Sequence, residues 1–382
     1  MASIRRLSYC AVAVPLAEPI AFATSGVATR CFGLLKLEDA DGAQGIAYAY
    51  LGPTPVSLVG TALRELLLPR LLGREARDIS TLWEEMMAAT QLHGRAGAVM
   101  RAVSLVDIAL WDLQARRNAR PLHVELGGKP TESVPAYAAG GYYGPGKHVP
   151  ELVAELESLR ALGFSAIKMK TGKHAPDEER ARVGAARAAL GPDADLMLDA
   201  NNAWPDVDTA LRTLLPLKAF NPYWIEEPFA EDDASRLGEL SRATGMRIAT
   251  GENEANPLRF AELIGQGVTS AIQPDANVCG GITPWLRIAR MAAGRPVLVC
   301  PHAYHNLHVH LLAACGLPGL LEFMPGEKVM NFGRLIDEDL RFAGGRVFLP
   351  ERPGLGFEFD ERAVARYAAP PAPAGAPWCA LA

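Results

Sequence analysis

A charged side chain recurs at the end of successive short apolar segments in the second half of this chain. The residues concerned are Lys168, Lys170, Asp199, Glu226, Glu252, Asp275, His302 and Glu322. Neighbouring segments are 20 to 31 residues apart, a spacing that accommodates one strand, one helix and two short loops. In a parallel βα barrel the carboxyl ends of all strands meet at one rim, where such barrels carry their active sites. The spacing therefore predicts a barrel with these side chains at its rim.

The pattern of apolar and polar residues divides the chain into two units. Apolar and polar residues alternate, as in strands, over residues 3–14, 32–38 and 45–50. Helical periodicity follows over residues 56–68, 79–91 and 96–117. We therefore predict an α+β domain over residues 1–127. From there to residue 323, eight strand-like segments alternate with helical ones, which predicts an α/β barrel domain within 128–349. The Pro-, Ala- and Gly-rich segment from about 350 to 382 either packs back on the first domain or hangs free.

Composition and charge exclude several classes of function. A net charge of −5 offers no electrostatic basis for binding nucleic acid. No uncharged apolar run reaches the roughly 18 residues of a membrane span. Charged residues and prolines interrupt the first 20 residues, unlike a signal peptide. The six cysteines are scattered without a CxxC pair, which favours reduced thiols. We therefore expect a cytoplasmic protein with no nucleic-acid or membrane partner.

Three acidic residues end consecutive predicted strands: Asp199, Glu226 and Glu252. Three ionised carboxylates on one patch of the rim would repel one another unless a cation lay between them. Ligation by oxygen alone favours a hard cation such as Mg²⁺ over zinc. Asn201 offers a further polar group beside Asp199. Alternatively, all three are solvated loop residues. Their equivalent positions at the ends of successive strands argue against this alternative.

Two lysines and an Asp–His pair complete the predicted rim. Lys168 and Lys170 are two residues apart on one strand, so both point the same way. We expect each ammonium to lower the pKa of the other towards the range of a general base, unless both are solvated. Asp275 and His302 end neighbouring strands, so the carboxylate can hold one ring nitrogen and raise the basicity of the other. Alternatively, His302 is structural, or residues 302–310 form a histidine-rich metal tract.

Together these groups predict removal of a proton α to a carboxylate. Such a proton is too weakly acidic for lysine or histidine alone, and a cation on the carboxylate would stabilise the resulting ene-diolate. The substrate would be a small carboxylic acid held between the lysines and His302. We expect Glu322, if protonated, to donate a hydrogen bond to the same carboxylate oxygens.

The set of rim residues resembles the enolase superfamily, mandelate racemase subgroup. The resemblance extends to the segments Val14-Pro15-Leu16, Ile108–Asp112, Trp224–Pro228, Gly251-Glu252-Asn253 and Pro274-Asp275-Ala276. It covers nearly the whole chain and implies a modified (β/α)7β TIM-type barrel with an N-terminal α+β capping domain. It also implies that the carboxylate trio binds Mg²⁺, with Mn²⁺ as a substitute. Lys170 would be one base and His302 the other, while Lys168 and Glu322 would contact the substrate carboxylate.

The resemblance also implies which segments select the substrate. Residues Pro15 to Arg30, rich in Ala, Thr, Ser and Gly, are interpreted as a long loop that closes over the substrate. The segment containing His93 and Arg95 is expected to join it and contact the substrate, as is Asn201. Members of the family are usually homo-oligomers, often octamers, so we expect a homo-oligomer.

Two functions within the family fit the residues. A base on each face of the substrate suits a racemase or epimerase. The same pair suits an acid-sugar dehydratase, in which His302 protonates the departing β-hydroxyl. The mixed polar character of Glu18, Thr24, Ser25 and Arg30 suits a polyol better than an aryl group. We therefore expect dehydration of an aldonate or aldarate to a 2-keto-3-deoxy acid. Muconate cycloisomerases and N-acylamino acid racemases carry a lysine in place of the Asp275–His302 pair, so this pair argues against those two functions.

Overall fold

The computed structural model describes residues 2–129, 131–230, 233–370 and 377–381. The N-terminal part begins with three antiparallel strands, β1 (Ile4–Ala21), β2 (Gly26–Asp39) and β3 (Gln44–Gly52). Five helices follow: α1 (Leu58–Ala62), α2 (Leu68–Leu71), α3 (Ile79–Ala89), α4 (Gly97–Arg117) and α5 (Leu122–Glu125). A π-helical turn, Leu63–Leu67, joins the first two. Helix α4 packs against β2 and β3 and buries an almost continuous row of apolar residues.

The interpretation of residues 15–30 as a long loop is wrong. Strands β1 and β2 continue through this segment as a hairpin, with a register shift between Pro15 and Ile20, and only residues 22–25 form its tip. Beyond the shift Ile20 pairs with Val27. The tip is held by the second domain, because the Ala21 N–H donates to Tyr143 O at 2.7 Å and the Tyr143 N–H returns a bond to Ala21 O at 3.0 Å. This pairing partner is distant in sequence, so local composition could not reveal it.

The predicted barrel is confirmed. Its eight strands are β4 (Ser133–Gly140), β5 (Ala166–Lys170), β6 (Asp195–Asp199), β7 (Ile225–Glu226), β8 (Ile248–Thr250), β9 (Ala271–Ile272), β10 (Leu298–Val299) and β11 (Leu321–Phe323). Consecutive strands from β4 to β10 pair in parallel, and β11 pairs with β4. The circle closes where the Val299 N–H donates to Pro318 O at 2.9 Å.

Seven helices connect these strands: α6 (Val149–Ala161), α7 (Pro176–Leu190), α8 (Val207–Leu217), α9 (Ala234–Thr244), α10 (Pro257–Gly265), α11 (Ile282–Ala292) and α12 (His305–Cys315). Several begin at a side chain that accepts a backbone N–H of the first turn. Asp206 accepts from Thr209 N at 2.7 Å, and Asn256 accepts from Leu258 N at 3.0 Å. The first two residues of the predicted helix 231–243, 231 and 232, lie outside the described residues.

The two domains meet through α4 and the first turn of α11. Both oxygens of the buried Asp107 carboxylate accept from Thr283, one from its N–H at 2.9 Å and one from its hydroxyl at 2.6 Å. Trp111 Nε1 donates to the same hydroxyl at 3.0 Å. Gly281, with φ at 113°, is required here, because a Cβ would lie 2.3 Å from Asp107 Oδ2. This contact fixes the first domain over the rim of the barrel.

The C-terminal segment contacts both domains. Strands β12 (Phe342–Ala343) and β13 (Arg346–Phe348) form a hairpin whose second strand pairs with β4. Helix α13 (Glu361–Tyr367) is followed by β14 (Cys379–Ala380), which pairs with β1. The division into domains 1–127 and 128–349, with a segment 350–382 packed back on the first, stays a proposal. No helix in the described ranges is long and apolar enough to cross a membrane, and all six cysteines are free.

Candidate active site

Parallel pairing places the predicted charged side chains side by side at one rim. Lys170 of β5 is in register with Asp199 of β6, which is in register with Glu226 of β7. Glu252, Asp275 and His302 follow β8, β9 and β10 by two or three residues, and Glu322 lies within β11. In a parallel barrel, residues at the carboxyl ends of neighbouring strands lie side by side. Residues at equivalent positions in successive βα units therefore form one cluster in space.

A cavity of about 250 Å³ lies between this rim and the first domain. Six of the predicted side chains line it: Lys168, Lys170, Glu252, Asp275, His302 and Glu322. Asn201 also lines it, as predicted, and Phe22, Thr24 and Ser25 from the tip of the β1–β2 hairpin close one side. Asp199 and Glu226 are fully buried beneath these groups.

Both lysines contact the buried acids. Lys168 Nζ pairs with Glu226, with Glu322 at 2.8 Å and with Asp199 at 3.3 Å. Lys170 Nζ lies 2.5 Å from Asp199 Oδ2. Burial acts to lower the pKa of each lysine, but the surrounding carboxylates outweigh it and raise the pKa of both. Lys168 acts to lower the pKa of Lys170, as expected, but the carboxylates outweigh it. The expectation that the lysine pKa values fall towards the range of a general base is therefore wrong for this structure.

The carboxylates have excess negative charge that the lysines do not fully compensate. Burial and the neighbouring Asp199 raise the pKa of Glu226 well above its ordinary value. Burial acts in the same direction on Asp199, but Lys170 and Lys168 outweigh it and lower the pKa of Asp199. Glu226 Oε2 is buried and has no hydrogen-bond partner among the described residues. A buried acceptor without a donor costs free energy, and a hard cation would satisfy it.

The side chains are not arranged around a metal as they stand. In the described part of the chain, no three acidic, histidine or cysteine side chains already surround a common metal position. Two of the acids contact lysines instead: Glu226 pairs with Lys168 and Asp199 with Lys170. The oxygen-only donor set and the orphaned Glu226 oxygen nevertheless fit Mg²⁺.

The predicted contact between Asp275 and His302 is confirmed. His302 Nδ1 lies 3.0 Å from Asp275 Oδ2, and Nε2 faces Glu252 at 3.6 Å. Burial acts to lower the pKa of His302, but Glu252 and Asp275 outweigh it and raise the pKa to about 9. Ala303 and Tyr304, which follow, have left-handed backbone conformations, with φ of 46° and 38°. Such conformations are rare outside glycine and cluster at functional sites.

Glu322 is an acceptor rather than the predicted donor. Its Oε2 accepts the Ala303 N–H at 2.7 Å, and its Oε1 pairs with Lys168. Burial acts to raise the pKa of Glu322, but Lys168 and His302 outweigh it and lower the pKa. The carboxyl is therefore ionised at neutral pH, so the condition under which Glu322 was expected to donate a hydrogen bond, a protonated carboxyl, is not met in this structure. Its charge holds Lys168 in place and tethers the turn that carries His302.

Asn201 adopts a left-handed turn directly after β6. Its φ is 41°, and its N–H donates to Asp199 Oδ1 at 2.9 Å. Its side-chain oxygen is buried with no hydrogen-bond partner within the described ranges. The neighbouring Asn202 and the more distant Asn253 both donate to Glu227, at 3.2 and 2.6 Å. The carboxylate of Glu227 thus joins the turns after β6 and β8, a role that the Glu226-Glu227 doublet could have suggested.

His93 and Arg95 do not reach the cavity, which corrects the prediction that they contact substrate. Both are exposed in the turns between α3 and α4. Arg101 lines the cavity instead, and sequence analysis missed it. Only the packing of α4 against β3 reveals it, because the Nε–H of Arg101 donates to Tyr50 O at 2.9 Å.

Two histidines of the tract 302–310, His308 and His310, are structural. His308 Nε2 accepts the Ala276 N–H at 3.1 Å, and its Nδ1 lies 2.9 Å from Ala303 O. His310 Nε2 lies 3.1 Å from Leu355 O. Burial lowers the pKa of both rings, so both are neutral and engaged with the backbone. This arrangement rules out the alternative of a metal tract for these two histidines.

Comparison with known families identifies the scaffold. Residues 4–127 match the family described as mandelate racemase / muconate lactonizing enzyme, N-terminal domain, and residues 151–363 match the enolase C-terminal domain-like family. The chain belongs to the enolase superfamily. The resemblance stated from the rim residues is thereby confirmed, and so is the fold class.

Individual relatives of this enolase superfamily chain include isomerases and dehydratases. A 3,6-anhydro-alpha-L-galactonate cycloisomerase from Streptomyces coelicolor is 34% identical, with 93% of this chain and 96% of the relative covered. An L-talarate/galactarate dehydratase from Salmonella typhimurium is 33% identical, with 86% of this chain and 81% of the relative covered. The solved L-talarate dehydratase from Polaromonas, complexed with Mg and L-glucarate, has a TM-score of 0.85 and 30% identity, with 96% of this chain and 98% of that chain covered.

Proposed function

We propose that this protein is a Mg²⁺-dependent dehydratase that converts an acid sugar, an aldonate or aldarate, into a 2-keto-3-deoxy acid. The observation that carries the proposal is the placement of Lys170 on β5 and of the Asp275–His302 pair after β9 and β10, with the acidic trio between them. A base and an acid on opposite sides of a cation-binding patch are what α-proton removal and β-hydroxyl departure require.

The proposed metal ligands are Asp199, Glu226 and Glu252. When bound, Mg²⁺ would draw charge from the substrate carboxylate and stabilise the ene-diolate formed on loss of the α-proton. Mn²⁺ would substitute, because it also accepts oxygen ligands. The orphaned oxygen of Glu226 and the excess negative charge of the buried acids support this assignment.

The remaining residues orient the substrate and move two protons. Lys168 and Glu322 lie together at the cavity floor, where Lys168 would bind the substrate carboxylate. Lys170 takes the α-proton, which requires that Asp199 be engaged elsewhere, since Asp199 holds the pKa of Lys170 high. His302, protonated and oriented by Asp275, gives its proton to the β-hydroxyl as water leaves. The resulting enol then becomes the 2-keto-3-deoxy acid.

A second candidate function is racemisation or epimerisation of a 2-hydroxy acid. It rests on the same pair, because Lys170 could remove the α-proton from one face and His302 return it to the other. The cycloisomerase among the relatives shows that isomerases occur on closely similar chains. Dehydration remains the first choice because the cavity lining combines Thr24, Ser25 and Asn201, which suit hydroxyl groups.

The test is incubation with Mg²⁺ in D₂O against aldonates, aldarates, uronates and 2-hydroxy acids, read by mass spectrometry. Loss of water with one deuterium gained in the product supports a dehydratase and identifies its substrate. Deuterium gain without water loss supports the racemase or epimerase. Absence of both across the library, with Mg²⁺ bound, overturns the proposal.

The proposal also covers the protein's surroundings. Its partner is a small carboxylic acid, and we expect a homo-oligomer, which light scattering on the purified protein tests. A cytoplasmic location is consistent with six free cysteines.

A further inference from the structure

Two arginines from the first domain line the catalytic cavity. Arg30 belongs to β2 and is only 5% exposed, and Arg101 belongs to α4 and is partly buried. Their common neighbour is Tyr50 of β3. The Arg30 guanidinium lies 5.3 Å from the Tyr50 ring centre, and the Arg101 Nε–H donates to the Tyr50 carbonyl. The two cationic groups therefore occupy one part of the cavity wall.

Neither guanidinium is neutralised by the protein. Arg30 Nε donates to Val329 O at 2.5 Å, and Arg30 also interacts with the Tyr50 side chain. Among the described residues, neither Arg30 nor Arg101 forms an ion pair with a carboxylate. By contrast, both cavity lysines at the barrel rim are paired with acids. The first domain thus presents uncompensated positive charge to the cavity.

Uncompensated buried charge of this kind indicates an anionic ligand. A buried arginine ordinarily forms an ion pair with an acid, because moving its charge out of water costs on the order of several kcal/mol. The planar guanidinium has five N–H donors, and its fork matches a carboxylate in two parallel hydrogen bonds. Each arginine uses Nε for a backbone carbonyl, and Arg30 also hydrogen-bonds to the Tyr50 side chain; the other guanidinium N–H groups remain for a ligand.

The position of the arginines separates them from the reacting end of the substrate. Lys168 and Glu322 lie on barrel strands β5 and β11, at the cavity floor. Arg30 and Arg101 lie on the domain that covers the rim. A substrate whose α-carbon faces Lys170 and His302 therefore extends its far end towards the arginines. A cavity of about 250 Å³ suits a ligand smaller than the drug-sized ones that fill roughly 300–1,000 Å³.

We propose that Arg30 and Arg101 bind a second carboxylate at the far end of the substrate, so that the enzyme acts on dicarboxylic acid sugars rather than on monocarboxylic ones. This inference rests on the proposed function and narrows its substrate class. One carboxylate of the diacid is held by the barrel, and the other is held by the first domain. The hydroxyl-bearing carbons span the space between them.

The experiment compares acids that differ only at the far carbon. Galactarate and galactonate form one such pair, and further aldarates are each matched with the corresponding aldonate. We would measure kcat/KM with Mg²⁺ for the wild type, Arg30→Met, Arg101→Met and Arg101→Lys, with the exposed Arg5→Met as the matched control. Circular dichroism would show that each variant is folded, and Arg101→Met remains decisive where Arg30→Met is unstable.

We expect the wild type to prefer the diacid of its best pair by at least about tenfold, as loss of a charged hydrogen bond implies. Each Met variant should lose that preference by lowering turnover of the diacid while leaving the monoacid within about twofold, and Arg101→Lys should restore part of it. Arg5→Met should match the wild type. Preference for the monoacid, or an equal loss on both acids in the Met variants, would overturn the inference.

A binding measurement separates this inference from the proposed function. If no acid loses water or exchanges its α-proton, the proposed function fails. Calorimetric titration of the Mg²⁺-loaded wild type and Arg101→Met with galactarate and galactonate then decides the inference alone. Tighter binding of the diacid that depends on Arg101 supports it. Equal affinity for the two acids, or no measurable binding of either, refutes it.

Discussion

The barrel rim and the domain that covers it contribute charged groups to one cavity in different ways. At the rim, Lys168 and Lys170 are paired with buried acids, and each of these residues lies at or near a strand end. In the covering domain, Arg30 and Arg101 have no acidic partner in the described part of the chain.

This difference assigns a separate task to each region. The ion pairs at the rim hold the lysines and acids together at the reacting end, where the proposed proton transfers take place. Unpaired cations instead gain most when an anion arrives, which makes them suited to choosing the substrate. Changes at the rim should therefore reduce kcat for every substrate, whereas changes in the covering domain should alter affinity and substrate preference.

The largest effect is expected from removal of either proposed base. Lys170→Met and His302→Asn should each lower kcat by about 10² to 10⁴-fold, the usual contribution of general acid–base catalysis. Substrate affinity should change far less, because Lys168 still contacts the carboxylate. Steady-state kinetics and calorimetry on the folded variants check this. Lys218→Met, at an exposed lysine outside the cavity, is the control. Full activity in both variants would remove the two-base assignment.

The joint between the regions should make stability depend on pH. Burial raises the pKa of Asp107 to about 7, although its hydrogen bonds with Thr283 act the other way. Its unfolded pKa is near 3.9, so the folded state holds a proton that the unfolded state releases between these values. Asp107 therefore contributes stability that is present below about pH 4 and lost as pH rises through about 7, amounting to at most about 4 kcal/mol.

Chemical denaturation of the wild type and Asp107→Asn across this pH range tests the contribution. The wild-type free energy of unfolding should fall with pH relative to that of the variant, which cannot titrate at this position. The variant's own stability is expected to be lower at acid pH, since an amide accepts poorly from both Thr283 donors. Parallel curves for the two proteins would show that Asp107 is ionised in the folded state throughout.

Removal of one proposed metal ligand should abolish stabilisation by Mg²⁺. At a concentration one hundred times its dissociation constant, a ligand that binds only the folded state stabilises by about 2.7 kcal/mol. The wild type should show such a shift in Tm, and Glu226→Gln should not. Glu262→Gln, on the outer helix α10, is the control and should respond like the wild type. Equal responses of wild type and Glu226→Gln would place the metal elsewhere.

The smallest effect concerns the hairpin tip. The rings of Phe22 and Tyr142 meet edge to face, with centroids 5.5 Å apart, and both lie near Lys170 Nζ. Such aromatic contacts contribute roughly 0.5–1.5 kcal/mol, so Phe22→Ala should raise KM by about two- to tenfold with kcat within about twofold. Leu92→Ala, at a side chain 91% exposed, is the control. A loss confined to kcat would show that Phe22 contributes to the catalytic step and not to selection of the substrate.

The barrel and the membership of its rim were predictable, because both follow from a repeated spacing. A parallel sheet converts equal positions in successive βα units into neighbours, so the spacing of Asp199, Glu226 and Glu252 was enough to group them. The Asp275–His302 contact followed from the same geometry. The confirmed strands of the first domain followed from alternation over many residues.

The protonation states at the rim were not predictable by the same route. Sequence spacing showed that Lys168 and Lys170 are neighbours, but not that acids from three other strands contact Lys168 Nζ. The sum of burial and charge determines the direction of each pKa shift, and this sum depends on distances of a few ångströms. The same limit made Glu322 an acceptor where a donor was expected.

The substrate-selecting wall depends on contacts between residues far apart in the chain. Arg30 and Arg101 are 71 positions apart and meet at Tyr50. The hairpin tip is ordered by Tyr143, which lies in the other domain. The local periodicity of a sequence does not indicate which distant segments contact one another. A repeated short-range pattern was thus enough to predict the barrel and the residues at its rim, whereas the cavity wall, the ionisation of its groups and the unpaired arginines depended on how distant segments pack.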